Sequence, residues 1–257
     1  MKKKTFILAL LCALAPALHA QEPSSQESTS LKDFLKPSLH LGLAGGYSNN
    51  RLDLGTAYAD DYHYVARSGL TMGLTSRLTI IDFPNSGPSL LLPDVSVSAD
   101  LLLVQKNYKF YRNFSSNWID LSYLYTVHTN NYLNIPVMAQ LRWGKNLHLM
   151  AQGGFYLGGW LTAHREGESF SLDDLAYGDR QNSHFDEAIE FNPSRDNRFD
   201  AGWAYGFGAG FTIKKIDVSL EARWYYALTD TQKNYMLFLN HRYNTTFALQ
   251  GGVSIQL

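Results

Sequence analysis

The chain has 257 residues, with 22 lysines and arginines against 23 aspartates and glutamates. This near balance, a formal net charge of −1, excludes the strongly basic surface of a nucleic-acid-binding protein. Aromatic residues make up 14% of the chain and there are 20 glycines, yet the mean hydropathy is only −0.21. No segment offers the roughly 18 consecutive uncharged apolar residues of a membrane-spanning helix, so the composition favours strands that are apolar on one face only.

The N-terminus has the three parts of a secretory signal. Lys2 to Lys4 are basic, 6–18 is apolar, and Ala20 supplies the small residue expected before the cleavage point. The apolar run is too short to span a bilayer. We therefore predict a signal peptide over 1–20, a polar periplasmic leader over 21–37 and a barrel domain over 38–257. The single cysteine, Cys12, lies within the signal, so neither a disulfide nor a cysteine–metal site is expected in the exported chain.

Period-two alternation of apolar and polar residues recurs after the leader and predicts eight strands. The last strand is the clearest, because Phe247, Leu249, Val253 and Ile255 share one face while Gln250 and its neighbours of like parity share the other. The eight strands are predicted at about 38–49, 66–80, 95–112, 133–143, 147–161, 203–213, 216–226 and 243–257.

The connections alternate between short and long. Turns at 144–146 and 214–215 are short, whereas four connections are long and polar, at 50–65, 113–130, 164–198 and 229–242. Short periplasmic turns with long outer loops are the pattern of outer-membrane barrels. The sequence does not decide the structure of two segments. The turn 81–94 is longer than this pattern predicts, and 118–127 alternates by itself, so it either extends the fourth strand or raises the count to ten.

Periodicity alone does not separate a membrane barrel from a soluble sandwich or lipocalin-like barrel. Three observations favour the membrane: the export signal, a polar face of small uncharged residues, and aromatic residues near strand ends, where a lipid-facing girdle would lie. The predicted fold is an all-β, eight-stranded, antiparallel up-and-down transmembrane barrel in the outer membrane, monomeric and in contact with lipid. The predicted girdle comprises Trp143, Trp203, Tyr205, Trp224, Tyr226 and Tyr243.

Charged residues also occur on the face that would line the lumen. An eight-stranded barrel is only wide enough to hold its own side chains, and unpaired charges there would be costly. We expect these charges to pair as a structural cluster, the alternative being a narrow conduit for ions or small solutes. The cluster comprises Arg77, Asp100, Arg142, Glu221 and Arg223.

Catalytic and metal motifs are absent from the sequence. It contains neither a G-x-S-x-G nucleophile elbow nor an H-E-x-x-H zinc motif, and we expect no cofactor and no enzymatic activity. The competing hypothesis is a lipid-modifying hydrolase at the barrel rim that uses loop histidines such as His164 or His241. The acidic pair Asp173–Asp174 in the loop 164–198 is a weak candidate for cation binding, because the loop lacks EF-hand spacing.

Several segments resemble the PorT-like outer-membrane β-barrel family of Bacteroidetes. The most specific is 131–137 (NYLNIPV), followed by the glycine-rich 153–159 and 199–210, by 220–226 (LEARWYY) and by the last strand. The resemblance covers the second half of the barrel well and the first half only by pattern. It implies an outer-membrane barrel and, through the name-giving member, a link to protein secretion with envelope or secretion-system proteins as partners.

Overall fold

The computed structural model describes residues 37–54, 62–83, 92–116, 119–169, 183–233 and 241–257. The predicted signal peptide, most of the leader, the centre of the turn 81–94 and Asp173–Asp174 lie outside these ranges. None of the described residues forms a helix long and apolar enough to cross a membrane.

In these described ranges, eleven strands make up one antiparallel sheet. In chain order they are β1 (Ser38–Leu54), β2 (Tyr62–Ile81), β3 (Asp94–Ala99), β4 (Leu101–Gln105), β5 (Tyr108–Ser116), β6 (Ile119–Trp143), β7 (Leu147–Ser169), β8 (Ser183–Ile189), β9 (Phe199–Ile213), β10 (Ile216–Ala227) and β11 (Arg242–Gln256).

These strands occupy eight positions around a closed ring. The segments β3, β4 and β5 all pair with β2 on one side and β6 on the other, so they form one interrupted barrel strand. Likewise β8 and β9 follow each other along β7. The ring closes where β1 pairs with β11, from His40–Gln256 to Leu54–Arg242. The predicted eight-stranded up-and-down barrel is confirmed.

The segment 118–127 does not form a separate element. From Ile119 onward it belongs to β6, which runs unbroken to Trp143 and pairs with β5 and then with β3 and β4. The ten-strand alternative is therefore wrong.

Alternation sets the two faces of the wall as the sequence predicts. In β1, Leu39, Leu41, Leu43 and Tyr47 lie exposed on the outside, while inward Ser48 is buried. The outside of β9 carries the same apolar pattern, with buried or half-buried residues at the alternate positions facing the lumen. The barrel thus has an apolar exterior and a polar interior, as a membrane barrel requires.

The short turns 144–146 and 214–215 also match the prediction. Gly144 has a φ of 94° and Lys214 a φ of 55°, the left-handed backbone that tight hairpins use. A Cβ at Gly144 would also collide with the carbonyl oxygen of Leu147. The start of β1, the end of β11 and both short turns lie at the same end of the barrel, which the predicted pattern assigns to the periplasm.

The predicted long loops contain more strand than expected. Strand residues make up most of 50–65 and of 113–130 and also include 164–169 and 183–189, because β1, β2, β5, β6, β7 and β8 all continue past the apolar band. In β1, the outward positions after Tyr47 are Asn49, Arg51 and Asp53, so lipid contact ends near Tyr47.

The outer part of the wall stands well clear of the membrane. β6 has 25 residues, which at about 3.4 Å per residue and a tilt of about 40° rise roughly 65 Å along the barrel axis. An apolar band is about 25 Å tall. The difference places about 40 Å of this strand beyond the hydrocarbon region.

Candidate functional site

The lumen is the part of the barrel where polar chemistry concentrates. Three glycines of β9 make room for it: a Cβ on Gly208 would lie 3.0 Å from Cγ of Glu221, one on Gly206 would lie 3.1 Å from Cγ of Arg223, and one on Gly210 would collide with the His148 ring. The glycines of β9 therefore leave space for long polar side chains from the neighbouring strands. The barrel is too narrow for two large side chains at the same height.

The central group of lumen residues surrounds Arg223. Its Nη1 donates to Asp100 Oδ2 at 2.6 Å, and its Nη2 and Nε donate to Glu221 Oε2 at 2.7 and 2.9 Å. Gln152 Nε2 donates to the same Glu221 oxygen at 2.7 Å. The side chains of Arg223 and Asp100 are 3% and 1% exposed, so this pair is removed from water. Gln250, with its amide oxygen turned toward the guanidinium, accepts from Arg223 Nε at 3.0 Å.

The periplasmic group surrounds Asp217. Arg77 Nη1 lies 2.8 Å from Oδ2 of Asp217 and Arg142 Nη2 lies 3.5 Å from Oδ1. Thr212 Oγ1 donates to Asp217 Oδ1 at 2.8 Å, and Arg142 Nη2 also contacts His148 Nδ1 at 2.9 Å. One buried carboxylate therefore holds two arginines across the lumen near the turns.

The outer group is built on a buried lysine. Lys106, fully buried, forms an ion pair with Asp200, and its Nζ lies 4.8 Å from the ring centroids of both Tyr132 and Tyr156. Tyr156 donates from its hydroxyl to Asp200 Oδ1 at 3.1 Å. Beneath this group, Tyr225 meets Tyr156 edge to face at 5.4 Å, and both rings are fully buried. We call the central, periplasmic and outer groups together the lumen plug.

The five charged residues predicted for the lumen thus fall into two groups. Arg223 contacts Asp100 and Glu221 directly, whereas Arg77 and Arg142 meet around Asp217. The prediction did not include Asp217, although it shares a face with Glu221 and Arg223 in β10. That shared parity could have identified Asp217 as a lumen residue from the sequence.

Lys106 and Asp200 were also missed, for different reasons. Lys106 and Asn107 lie in the interruption between β4 and β5, where two consecutive residues are buried, so strict alternation does not reveal them. Asp200 follows the inward parity of β9 and lies three residues before the predicted strand start at 203. Trp160 pairs with Tyr132 beside a register shift between β6 and β7, and its ring meets Phe191 edge to face.

The predicted girdle residues lie at different heights along the outside of the barrel. Trp203, Tyr205 and Tyr226 are exposed, and Tyr205 stacks on Trp224 with the ring centroids 5.5 Å apart. Tyr243 lies farther out, stacked on His241, whereas Trp143 ends β6 beside a short turn. Four of the six therefore form one aromatic patch on β9 and β10, with one residue outside it toward each end.

The histidines considered for catalysis each contact a carboxylate. His164, on β7, pairs with Asp186 on β8, and both are exposed. His241 Nδ1 lies 2.8 Å from Asp230 Oδ2. Each contact is a surface ion-pair geometry. Within the described ranges, no group of three or more His, Cys, Asp or Glu side chains is arranged to hold a metal ion.

Comparison with known proteins agrees with this architecture. Residues 20–233 match the family described as outer membrane protein beta-barrel domain. No curated protein matches the chain. Similar solved structures include OprG from Pseudomonas aeruginosa (11% identity, 87% of this chain and 97% of that chain, TM-score 0.45) and Neisserial surface protein A (9%, 86% and 99%, 0.41). Another is Ail from Yersinia pestis (13%, 84% and 98%, 0.33). The chain belongs to the outer membrane protein beta-barrel domain family and is located in the outer membrane.

Proposed function

We propose that this protein is a closed, non-enzymatic barrel that acts through the part of its wall outside the membrane, by binding other proteins of the envelope. The observation that carries the proposal is the lumen plug. Its three groups lie at successive levels of the lumen and engage side chains from most of the barrel strands.

The space left beside the central and periplasmic groups is small. A cavity beside Asp100 and Asp217 has a volume of about 40 Å³, which is room for a few water molecules. Moving a solute past this level would separate Arg223 from Asp100 and leave both charges buried without a partner, which is strongly unfavourable. This favours a structural barrel over a solute conduit.

The outer wall offers a surface for protein contact. β8 pairs with β7 on one side, and among the described strands nothing pairs with its other edge. An unpaired strand edge presents backbone N–H and C=O groups to which another chain can add a strand. Exposed charges on β7 and β8, including Arg165 with Glu187, border that edge.

The resemblance to the PorT-like family of Bacteroidetes supports a more specific role. On this proposal the partners are secretion-system proteins, and the barrel anchors or orients them at the outer membrane. The outer extension of β7 and β8 is the part best placed to make that contact, because it stands beyond the apolar band and ends in an unpaired edge.

Planar-bilayer recording tests the closed state. We expect the full chain to give no conductance steps. The matched control replaces Arg223, Asp100 and Glu221 together by serine, which removes the central group without leaving an unpaired charge, and should give small, frequent openings. Steady conductance from the unaltered chain would refute the closed-barrel proposal and support the conduit.

A shortened hairpin tests the interaction role. Replacing 166–187 by a two-residue turn removes most of β8 and the end of β7 but leaves every strand of the ring within the membrane. We expect the variant to remain folded, as judged by heat-modifiable gel migration, while secreted cargo accumulates in the periplasm of cells that depend on it. Normal secretion with the shortened hairpin would exclude this surface, and loss of a lipid modification instead would favour the hydrolase.

A further inference from the structure

A second cavity lies in the outer half of the barrel. Its volume is about 350 Å³, at the lower end of the range for small-molecule sites. Four ring systems contribute to its lining, Tyr108, His128, Tyr132 and Trp160. Tyr108 and His128 are stacked, with centroids 4.5 Å apart and planes 15° apart. We call this space the outer cavity.

The outer cavity begins where the lumen plug ends. The ring of Tyr132, part of its lining, is the one over which Lys106 lies. Leu52, another lining residue, is flanked in β1 by Arg51 and Asp53, which face outward and form an ion pair of their own. Charged residues on the outside of the wall place this level beyond the lipid. Because strands enclose the cavity, its ligand comes from the external medium and not from the surrounding bilayer.

Positive charge dominates the lining. Among the described residues, it contains the arginines Arg165, Arg195 and Arg242 but only one carboxylate, that of Asp196. Arg195 is committed to Asp196, with Nε and Nη2 at 2.7 and 3.1 Å from its oxygens. Although burial alone would raise the pKa of Asp196, hydrogen bonds from Arg195 and from the Asn192 N–H hold that pKa below its usual range, so this carboxylate is ionised and fully used.

Of the cations in the described part of the lining, Arg242 is the one left for a ligand. Arg165 pairs with Glu187, but no carboxylate among the described residues forms an ion pair with Arg242. Its guanidinium carbon lies 5.7 Å from the centroid of the Tyr64 ring. A guanidinium on an aromatic face keeps its planar fork, which suits the two oxygens of a carboxylate or phosphate.

Unsatisfied polar atoms cluster in the same wall. Arg242 Nε, Asn244 Nδ2 and Gln232 Oε1 are buried without a hydrogen-bond partner among the described residues, and all three residues line the outer cavity. A buried donor or acceptor without a partner is costly. Asn244 Oδ1 accepts from Asn50 Nδ2 at 3.2 Å, which anchors that amide and leaves its Nδ2 to donate to a ligand. A ligand offering both acceptors and a donor would satisfy the three atoms.

We infer that the outer cavity binds a small hydroxylated acid, a molecule of sugar size with one carboxylate or phosphate. Its oxyanion contacts Arg242, its hydroxyl groups meet Asn244 and Gln232, and its apolar face lies against the rings. The inference rests on the proposed function, since a cavity closed at its base requires an occluded lumen. It assigns the outer wall a ligand class in addition to its protein partners.

Isothermal titration calorimetry on the full chain folded in detergent tests this inference, with glucuronate, glucose 6-phosphate and neutral glucose as probes. We expect both acids to bind and glucose to bind at least tenfold more weakly. Arg242→Gln should weaken binding of both acids by about tenfold or more, the value of a charge-assisted hydrogen bond. Arg242→Lys, which keeps the charge without the fork, should fall between the two. Heat-modifiable migration checks that each variant is folded.

The matched control is Arg51→Gln, which removes an exposed arginine from the outside of the wall at the level of the same cavity. Its affinity for the acids should equal that of the unaltered chain. Failure of both acids to bind, equal binding of glucose, or unchanged affinity in Arg242→Gln overturns the inference. None of these results bears on the closed barrel, which conductance decides. If only one of the two acids binds, and Arg242→Gln abolishes that binding, the inference holds for that oxyanion alone.

Discussion

Removing the central cation of the lumen plug should destabilise the barrel more than any other single substitution there. Arg223 is 3% exposed at its side chain and faces two carboxylates, Asp100 at 1% and Glu221 at 12%. Arg223→Met keeps the volume and apolar stem but leaves both carboxylates without their cation. Breaking one buried ion pair costs about 3–5 kcal/mol, so we expect a loss of at least about 3 kcal/mol in the free energy of unfolding.

A second variant, with no charge in the central group, distinguishes the loss of attraction to Arg223 from the cost of burying two carboxylates without a cation. Arg223→Met combined with Asp100→Asn and Glu221→Gln leaves no charge in the central group. Replacing a whole buried ionic group by neutral residues is often close to neutral, so most of the lost stability should return. Urea titration of barrels folded in detergent, followed by gel mobility without heating, gives the unfolding free energies. The reasoning is refuted if Arg223→Met costs less than about 1 kcal/mol, or if the second variant is no more stable than the single one.

Three further predictions test the wall and its orientation. Gly202→Ala should lower stability by about 1–3 kcal/mol, because its Cβ would collide with the Tyr226 carbonyl, whereas Gly153→Ala meets nothing within 4 Å and should be neutral in the same urea assay. Leu43→Arg, on a 64% exposed lipid-facing residue, should cost about 2–4 kcal/mol when unfolding is measured from lipid vesicles; no cost would mean that Leu43 does not face lipid. Glu187→Cys should react with a membrane-impermeant maleimide on intact cells and Lys145→Cys only after the outer membrane is permeabilised; the reverse pattern would invert the orientation.

The membrane part of the fold is readable from sequence because lipid imposes a strict rule on it. Where one face of a strand meets hydrocarbon and the other a polar lumen, residues such as Leu41 and Leu43 must alternate with polar or small ones. Beyond the apolar band both faces of a strand are in contact with water, so apolar and polar residues no longer need to alternate. Strand residues from Asn49 to Asp53, or from His164 to Glu168, therefore look like polar loop sequence although they are paired.

Contacts in the lumen are harder to predict from sequence. Which side chains meet depends on their height along the barrel axis as well as on the strand face that carries them. Parity places Arg77 and Arg223 inside, but strand stagger decides that the first meets Asp217 and the second Asp100. The alternation rule does not identify Lys106 as a lumen residue, because the interruption after β4 turns two neighbouring residues inward. The outer cavity combines residues from β1, β5, β6, β7 and β11, so it exists only once the ring is closed.

The seam between β1 and β11 has a consequence for how the barrel reaches the membrane. It joins residues 188 to 216 positions apart, and the Leu257 N–H still donates to Leu39 O at 2.9 Å at its periplasmic end. Until that seam forms, the sheet has two unpaired edges, and hydrocarbon cannot satisfy their backbone groups. Stepwise insertion of hairpins into lipid is thereby excluded. The chain must either close before it meets hydrocarbon or have its open edges shielded by another protein until the first and last strands pair.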